Sequence, residues 1–514
     1  MRRTVAAAAV ALTLAATGTA TSPSYSEDDL EIRSPASAAV GPAAPAPAQV
    51  LRQAEVALEG EVAGTRRPEA TLALRDLFAT LPRLSAADRA EARGILARPT
   101  NQSGPSGEIK YTTRSFKQCG QRVCVHRVVR TRHKATRAWA RKSLRVLESV
   151  WRTEIGQLGY RRPVKDGRRG GNGKLDVYLA NVGARGLYGY CVPEFTKPGF
   201  PRLASGYCVL DNDFARRQFG AEPIDSLRVT AAHEFFHAVQ FGYDYLEDPW
   251  MMEATATWIE ERYADGVNDN RQYLPAGQLV RTHLALDRFE SGSAIQYGNW
   301  VFFEYLSQRF GATIVRRIWE QSGHFRGGGE TYSTEAVSRA LAPEAPLKQV
   351  FAQFSAANIT PARSYPEGRS WPEPRMVSQG SLGRGGVASG ELKIDHLSTQ
   401  NTRVTPKKGL DERRFRLQVR IDGPSEATSP MATVVWQQPS GQVERLPVRL
   451  NAEGVGSRVV PFNRLQTTTL WLVLSNASTR FDDCGGEDHT YSCSGTPRDE
   501  NLPFTVRLRV VTRR

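Results

Sequence analysis

Apolar residues recur along this chain with two different periods, and the switch between them divides it. Over 50–98 the spacing is helical: Val50, Leu51, Val56 and Leu58 form one patch, and Leu72, Leu74, Leu77, Phe78 and Leu81 a second, closed by Pro82. Ser85 then stands where an N-cap would open a third helix. Over 109–116 and 123–129 apolar and polar positions alternate, as in a β-hairpin. Trp139, Leu144, Leu147, Val150, Trp151, Ile155 and Leu158 restore the helical period. A strand at 174–180 and a strand pair at 187–191 and 205–210 follow, then helical patterns at 227–241, from 250, and over 279–289, 298–310, 314–319 and 336–341. From 391 onward alternation takes over at 413–421, 432–436, 470–474 and 504–511, with Gly, Pro and Asn between the runs. The pattern predicts an α+β domain, a mixed sheet with helices, followed by an all-β sandwich.

Composition marks the seams. Arg2-Arg3, the short apolar run from Val5 to Ala16 and Gly18-Thr19-Ala20 read as a secretory signal over 1–20. Residues 21–49 are rich in Ser, Pro and Ala and read as a disordered linker. Pro99 and the run 103–107 end the helical unit 50–108, which is either a pro-segment covering a cleft or a permanent N-terminal subdomain. The main domain then spans 109–360, a Pro-, Gly- and Ser-rich linker 361–390, and the sandwich 391–514. The formal charge of +15 could favour an anionic cell-wall polymer or an acidic substrate, although an ordinary arginine-rich protein has the same balance. No basic run is interleaved with aromatics, so nucleic acid is not an expected partner. No stretch reaches the roughly 20 consecutive apolar residues of a membrane span. The six cysteines fall into three local pairs, 119–124, 191–208 and 484–493, and a secreted chain would oxidise them.

The chemistry concentrates in His233-Glu-Phe-Phe-His237. Histidines four apart share one face of a helix, one turn apart, and can reach a single cation. Two neutral nitrogens and a carboxylate suit one zinc ion, with a position left for water. Glu234 lies beside that position as a general base. The third ligand expected is Glu253, sixteen residues past His237 and just beyond the break at Asp248-Pro249. A carboxylate among Met251, Met252 and Ala254 needs a reason to be buried, and a metal supplies one. Glu260 and Glu261 are read as solvated or as hydrogen-bond partners of a ligand histidine. His126 falls in strand alternation and is read as structural. Asn172 and Asp176 are a thin ligand set for calcium.

His233-Glu-x-x-His237 followed by Trp250-x-x-Glu253-x-x-Ala256 resembles the gluzincins, metallopeptidases that hold zinc on two His and one Glu. With the signal and flanking segments, the chain is similar to a family of secreted bacterial metalloproteases. It departs from the gluzincin pattern in a shorter His-to-Glu gap and in lacking the aminopeptidase Gly-Ala-Met-Glu-Asn block. Gln240 and Tyr243 stand where metzincins carry Gly and His. The resemblance implies a zincin-like domain with a helical lower half. It also implies that a strand preceding the active helix, 206–210, forms the cleft edge and pairs with an extended peptide. Tyr297 would donate a hydrogen bond to the oxyanion, with His283 the alternative donor. The function implied is a secreted zinc endopeptidase acting on protein or peptide. The rivals are a secreted binding or adhesion protein on an inactive zincin fold, and a zinc hydrolase of other amides.

Overall fold

The structure is a computed structural model describing residues 30–33, 46–59, 69–101, 109–486 and 489–513. The signal-like segment 1–20 and the stretch 102–108 lie outside the described residues. Strand β1 (Leu30–Arg33) precedes three helices, α1 (Pro47–Leu58), α2 (Ala70–Thr80) and α3 (Ala86–Ile95). Ser85 caps α3 by accepting from Asp88 N, the role its position predicts.

A five-stranded sheet follows, built from β2 (Ser115–Cys119), β3 (Val123–Val128), β4 (Leu175–Ala180), β5 (Gly189–Lys197) and β6 (Phe200–Asp211) in the order β2-β3-β4-β6-β5. Strands β3, β4 and β6 run parallel, while β2 and β5 are antiparallel to their neighbours. The central strands β3 and β4 are buried at every position because helices cover both faces. On one face Leu147 and Val150 of α4 (Arg137–Trp151) meet Val123, Val125, Val177 and Leu179. On the other, Leu51, Leu74 and Leu77 of the N-terminal helices meet Tyr178, Tyr190, Val192, Tyr207 and Val209. Helices α1, α2 and α3 thus form the outer layer of a three-layer unit. The hairpin β5–β6 turns through Pro198-Gly199, where Gly199 takes a positive φ of 76°, as a two-residue turn requires.

After a short helix α5 (Arg216–Phe219) come two long helices, α6 (Pro223–Asp244) and α7 (Pro249–Ala264), joined by a four-residue turn ending in Asp248-Pro249. Both open with proline in the first turn, where no intrahelical N–H is needed. A helical half completes the domain: α8 (Ile295–Gly298), α9 (Trp300–Phe310), α10 (Thr313–Ser322), α11 (Ser333–Leu341), α12 (Leu347–Asn358) and α13 (Pro361–Ser364).

The C-terminal part is a β-sandwich. One sheet is ordered β1-β8-β17-β10-β13 and the other β12-β11-β14-β9-β7, with strands β7 (Ser378–Leu382), β8 (Val387–Ile394), β9 (Ser398–Pro406), β10 (Phe415–Asp422), β11 (Pro430–Gln437), β12 (Val443–Pro447), β13 (Val455–Pro461), β14 (Thr469–Asn476) and β17 (Leu502–Thr512). A two-stranded ribbon, β15 (Phe481–Asp482) with β16 (Thr496–Pro497), flanks it. Leu417, Val419 and Ile421 alternate inward against Val506, Leu508 and Val510, which is the predicted period. The outer face of β11 and β14 packs on Ala356 and Ile359.

Several expectations are corrected. Residues 279–289 form no helix: Leu286 N donates to Leu397 O and Phe289 N to Thr490 O, so pairing with the sandwich replaces helical bonding. Of the linker 21–49, Leu30–Arg33 pairs in parallel with β8 and becomes a sandwich strand. The linker 361–390 ends early, because β7 and β8 begin at 378 and 387. In the first hairpin the ladder starts only at Ser115; Tyr111 is buried outside it, donating its hydroxyl to Leu179 O. An edge strand of the sheet is β5, whereas 206–210, expected at an edge, lies in the interior strand β6. Calcium at Asn172 and Asp176 has no free ligand set, for Asp176 is held by Arg98 at 2.5 Å and His126 at 2.6 Å, and Asn172 Oδ1 accepts from Lys174 N. The three cysteine pairs stand at disulfide distance as paired from the sequence.

Candidate metal centre

Helix α6 is buried on every side from Val229 onward. Phe235 stands edge-on to Trp151 and Phe236 to Tyr160, with ring centroids 5.5 and 4.9 Å apart. Those anchors leave His233 and His237 pointing together, their rings 4.8 Å apart, toward α7. Helix α7 is held in turn by Trp250 Nε1 on Ser333 Oγ at 2.9 Å. Its residues Glu253 and Glu260, seven apart and so on one face, both reach the histidines. His233 Nε2 lies 3.3 Å from Glu253 Oε2, and His237 Nε2 lies 3.4 Å from Glu253 Oε1. One ligand atom from each of the three residues falls within 4.8 Å of the others.

The surrounding hydrogen bonds set the tautomers. Gln240 Nε2 donates to Met252 O and Thr255 Oγ1, so its Oε1 accepts from His237 Nδ1 at 2.7 Å. His237 therefore carries its proton on Nδ1, and Nε2 presents a lone pair. Burial lowers the His237 pKa to about 4, so the ring is neutral at pH 7. On His233, Nδ1 bonds Glu260 Oε1 at 2.8 Å. Burial opposes charge on that ring, but Glu253 and Glu260 outweigh it and raise its pKa.

Three acceptors are left over. His237 Nε2 and both oxygens of Glu253 are buried and have no hydrogen bond of normal geometry, although the Tyr297 hydroxyl lies near enough to favour the charged carboxylate. A protonated His233 balances Glu253 in the metal-free chain, while the His237 Nε2 lone pair faces Glu253 Oε1 at 3.4 Å, an unfavourable contact that a shared cation would relieve. Two imidazoles, one carboxylate and their outer partners form a donor set that fits zinc.

Of the candidate ligands, His233 lines a cavity of about 230 Å³, together with Glu234, Tyr188, Tyr273 and Tyr297, among others. Burial, together with the Glu253 and Glu260 charges, pushes the Glu234 carboxyl up to about 8, against the pull of His233. Glu234 Oε2 accepts from Thr71 Oγ1 at 3.2 Å, and the same hydroxyl accepts from Cys191 N at 3.0 Å. Helix α2 thus joins the base to the edge strand β5. The Tyr297 ring stacks on His233 at 6.1 Å and on Tyr273 at 5.1 Å. His283, the alternative donor, does not line the cavity; it sits near Arg375, Arg281 and Arg288.

The structure brings His233, Glu234, His237, Glu253 and Tyr297 together. It resolves Glu260 as the partner of His233 and places Glu261 on Asn270 instead. Sequence reasoning missed Thr71, Glu69, Tyr188, Asp269 and Tyr273, and the role of Gln240. Only Gln240, three residues past His237 on one helix, carried a local signal. Elsewhere, a larger cavity of about 560 Å³ between α1, α2 and the 484–493 loop gathers none of the candidate ligands. Glu261, Asp265 and Glu367 also cluster, with Arg271 on Glu367 at 2.5 Å.

No protein-family model and no curated protein matches the chain. Two solved structures show weak similarity. The pre-peptidase C-terminal domain of a collagenase from Bacillus anthracis aligns at 12% identity, covering 26% of this chain and 94% of that one, with a TM-score of 0.15. A family GH115 4-O-methyl-α-glucuronidase, BtGH115A, aligns at 8% identity over 70% of this chain and 54% of its own, with a TM-score of 0.11. Scores this low establish no shared fold and carry no functional argument.

Proposed function

We propose that the chain is a secreted zinc-dependent endopeptidase with a zincin-type catalytic domain. The observation that carries this reading is the buried cluster in which one ligand atom each of His233, His237 and Glu253 lies within 4.8 Å of the others, beside a general-base candidate in the wall of a cavity. His233, His237 and Glu253 hold the ion; when bound it acts as a Lewis acid that acidifies water and polarises a carbonyl. Glu234 accepts the proton of the attacking water and returns it to the leaving amine. The hydroxyl of the half-buried Tyr297 donates to the oxyanion that develops on the scissile carbonyl. Glu260 and Gln240 keep both imidazoles in the ligating orientation. Secretion accords with three disulfide pairs, and among the described residues no helix is long and apolar enough to cross a membrane.

The test is zinc stoichiometry together with casein hydrolysis, with and without chelator. Wild type should hold one zinc and cleave casein. Glu253→Ala should lose both, and Glu234→Gln should keep zinc and lose cleavage. Proteolysis by Glu234→Gln would refute the mechanism. A metal-free wild type that binds cell-wall polymer would favour the adhesion reading.

A further inference from the structure

The ionisable side chains that line the cavity are mostly carboxyl groups. Besides His233, its ionisable acids are Glu69, Glu234, Glu260 and Asp269, and among the described residues no lysine or arginine lines it. The chain as a whole is the opposite, with 68 Lys and Arg against 53 Asp and Glu. The acids come from four separate places: the start of α2, α6, α7 and the 3-10 segment Asp269–Tyr273.

A divalent ion on His233, His237 and Glu253 would be balanced by Glu253 and Glu234, which leaves Glu260 and Asp269 as further acids of the wall. Glu69 spends both oxygens capping α2, at Thr71 N and Leu72 N, and burial with the nearby Glu253 and Glu234 carboxylates raises its pKa, so it is not a recognition residue. Glu260 gives Oε1 to His233, while its Oε2 is buried and has no partner. Asp269 is half-buried at the wall, and its Oδ2 accepts only from the exposed Gln272 amide. Between these carboxylates stand the rings of Tyr188, Tyr273 and Tyr297. Carboxylates beside aromatic faces recognise an ammonium or guanidinium group, by charge and by the negative ring face. At about 230 Å³ the space suits a single side chain.

We infer that this cavity binds a cationic group, the side chain of a Lys or Arg adjacent to the scissile bond, with Asp269 and Glu260 as its recognition residues. The catalytic meaning rests on the proposed hydrolase; the binding does not. A free N-terminal amine offers the same chemistry, and the test separates the two sources.

The full-length, zinc-loaded protein is assayed on three matched fluorogenic peptides: amino-acetylated with Arg, amino-acetylated with norleucine, and the norleucine peptide with a free amino terminus. In parallel, N-acetyl-L-argininamide, L-alaninamide and N-acetyl-L-norleucinamide are tested for binding by ligand-observed NMR. The expected kcat/KM ratio of the acetylated Arg to the acetylated norleucine peptide is about tenfold or more, the scale of one close charge pair. It should fall toward unity in Asp269→Asn and below unity in Asp269→Lys, a change of selectivity that simple loss of structure would not cause. N-acetyl-L-argininamide should bind wild type and bind Asp269→Lys at least about tenfold more weakly.

Hydrolysis without preference for Arg overturns the inference and leaves the hydrolase reading standing. Preference for the free-amine peptide over the acetylated Arg peptide also overturns the side-chain assignment. Absence of all hydrolysis, with Asp269-dependent binding of N-acetyl-L-argininamide, upholds the cation site and removes the hydrolase. Absence of both hydrolysis and argininamide binding overturns both.

Discussion

Thr71→Val asks whether the N-terminal helical layer belongs to the working site. The substitution keeps the shape of a side chain that is fully buried and removes only its hydroxyl. Two hydrogen bonds go with it. Cys191 N, at 3.0 Å, is left as a buried donor without a partner, a loss of about 1–3 kcal/mol. Glu234 Oε2, at 3.2 Å, loses its donor. With the Glu234 pKa near 8, the carboxyl is largely neutral at pH 7 in the metal-free chain, so that bond is worth the neutral value of about 0.5–1.5 kcal/mol rather than the charged one. The two sum to about 1.5–4.5 kcal/mol. Urea melts of wild type, Thr71→Val and Thr71→Ser should show that loss for Val and recovery of most of it for Ser, which restores the hydroxyl. Casein turnover at saturating substrate should fall in Thr71→Val more than KM changes, with zinc content retained, because Glu234 is misplaced rather than the ligands. A Val variant within 0.5 kcal/mol of wild type, with unchanged turnover, would refute the claim that α2 positions the base and would restore the removable pro-segment.

Gln240→Leu removes the acceptor that fixes the His237 tautomer, and zinc affinity measured by competition with a chromophoric chelator should drop about 10–100-fold. His396 bridges the two domains, with Nε2 on Asp287 Oδ1 at 2.9 Å and Nδ1 on Glu500, and these carboxylates overcome burial to raise its pKa to about 10. A folded pKa above the unfolded value of about 6.5 means the stabilisation is complete below pH 6.5 and is lost as pH rises through about 10. Thermal melts from pH 6 to 10.5 should therefore show a decline that His396→Ala lacks; parallel declines in the two proteins would exclude this linkage.

Much of this protein was legible along the chain, because local rules suffice for it. The period of 3.6 placed the helices before and after the sheet, the alternation from 413 onward identified the sandwich, and a spacing of four put His233 and His237 on one face. Asp248-Pro249 marked the start of α7 because proline tolerates only the first helical turn. Spacing and a polar residue in apolar company were enough to propose Glu253.

Other features depend on distant parts of the chain meeting. Residues 279–289 have a helical pattern, yet Leu286 N and Phe289 N bond Leu397 O and Thr490 O of the C-terminal part, and that tertiary pairing outcompetes an isolated helix of marginal stability. Thr71 lies 163 positions from Glu234, and no local rule couples a helix in one layer to a base in another. The edge strand became β5 because β6 found a parallel neighbour in β4 on its far side, a choice made by sheet order rather than by either strand's composition. The acidic cavity has the same origin: carboxyl groups scattered through a basic chain line one cavity only after folding gathers them. Sequence by itself determined the elements and the candidate ligands, since these follow from short-range periodicity. Tertiary structure alone decided what surrounds them, since packing brings together groups that the chain keeps far apart.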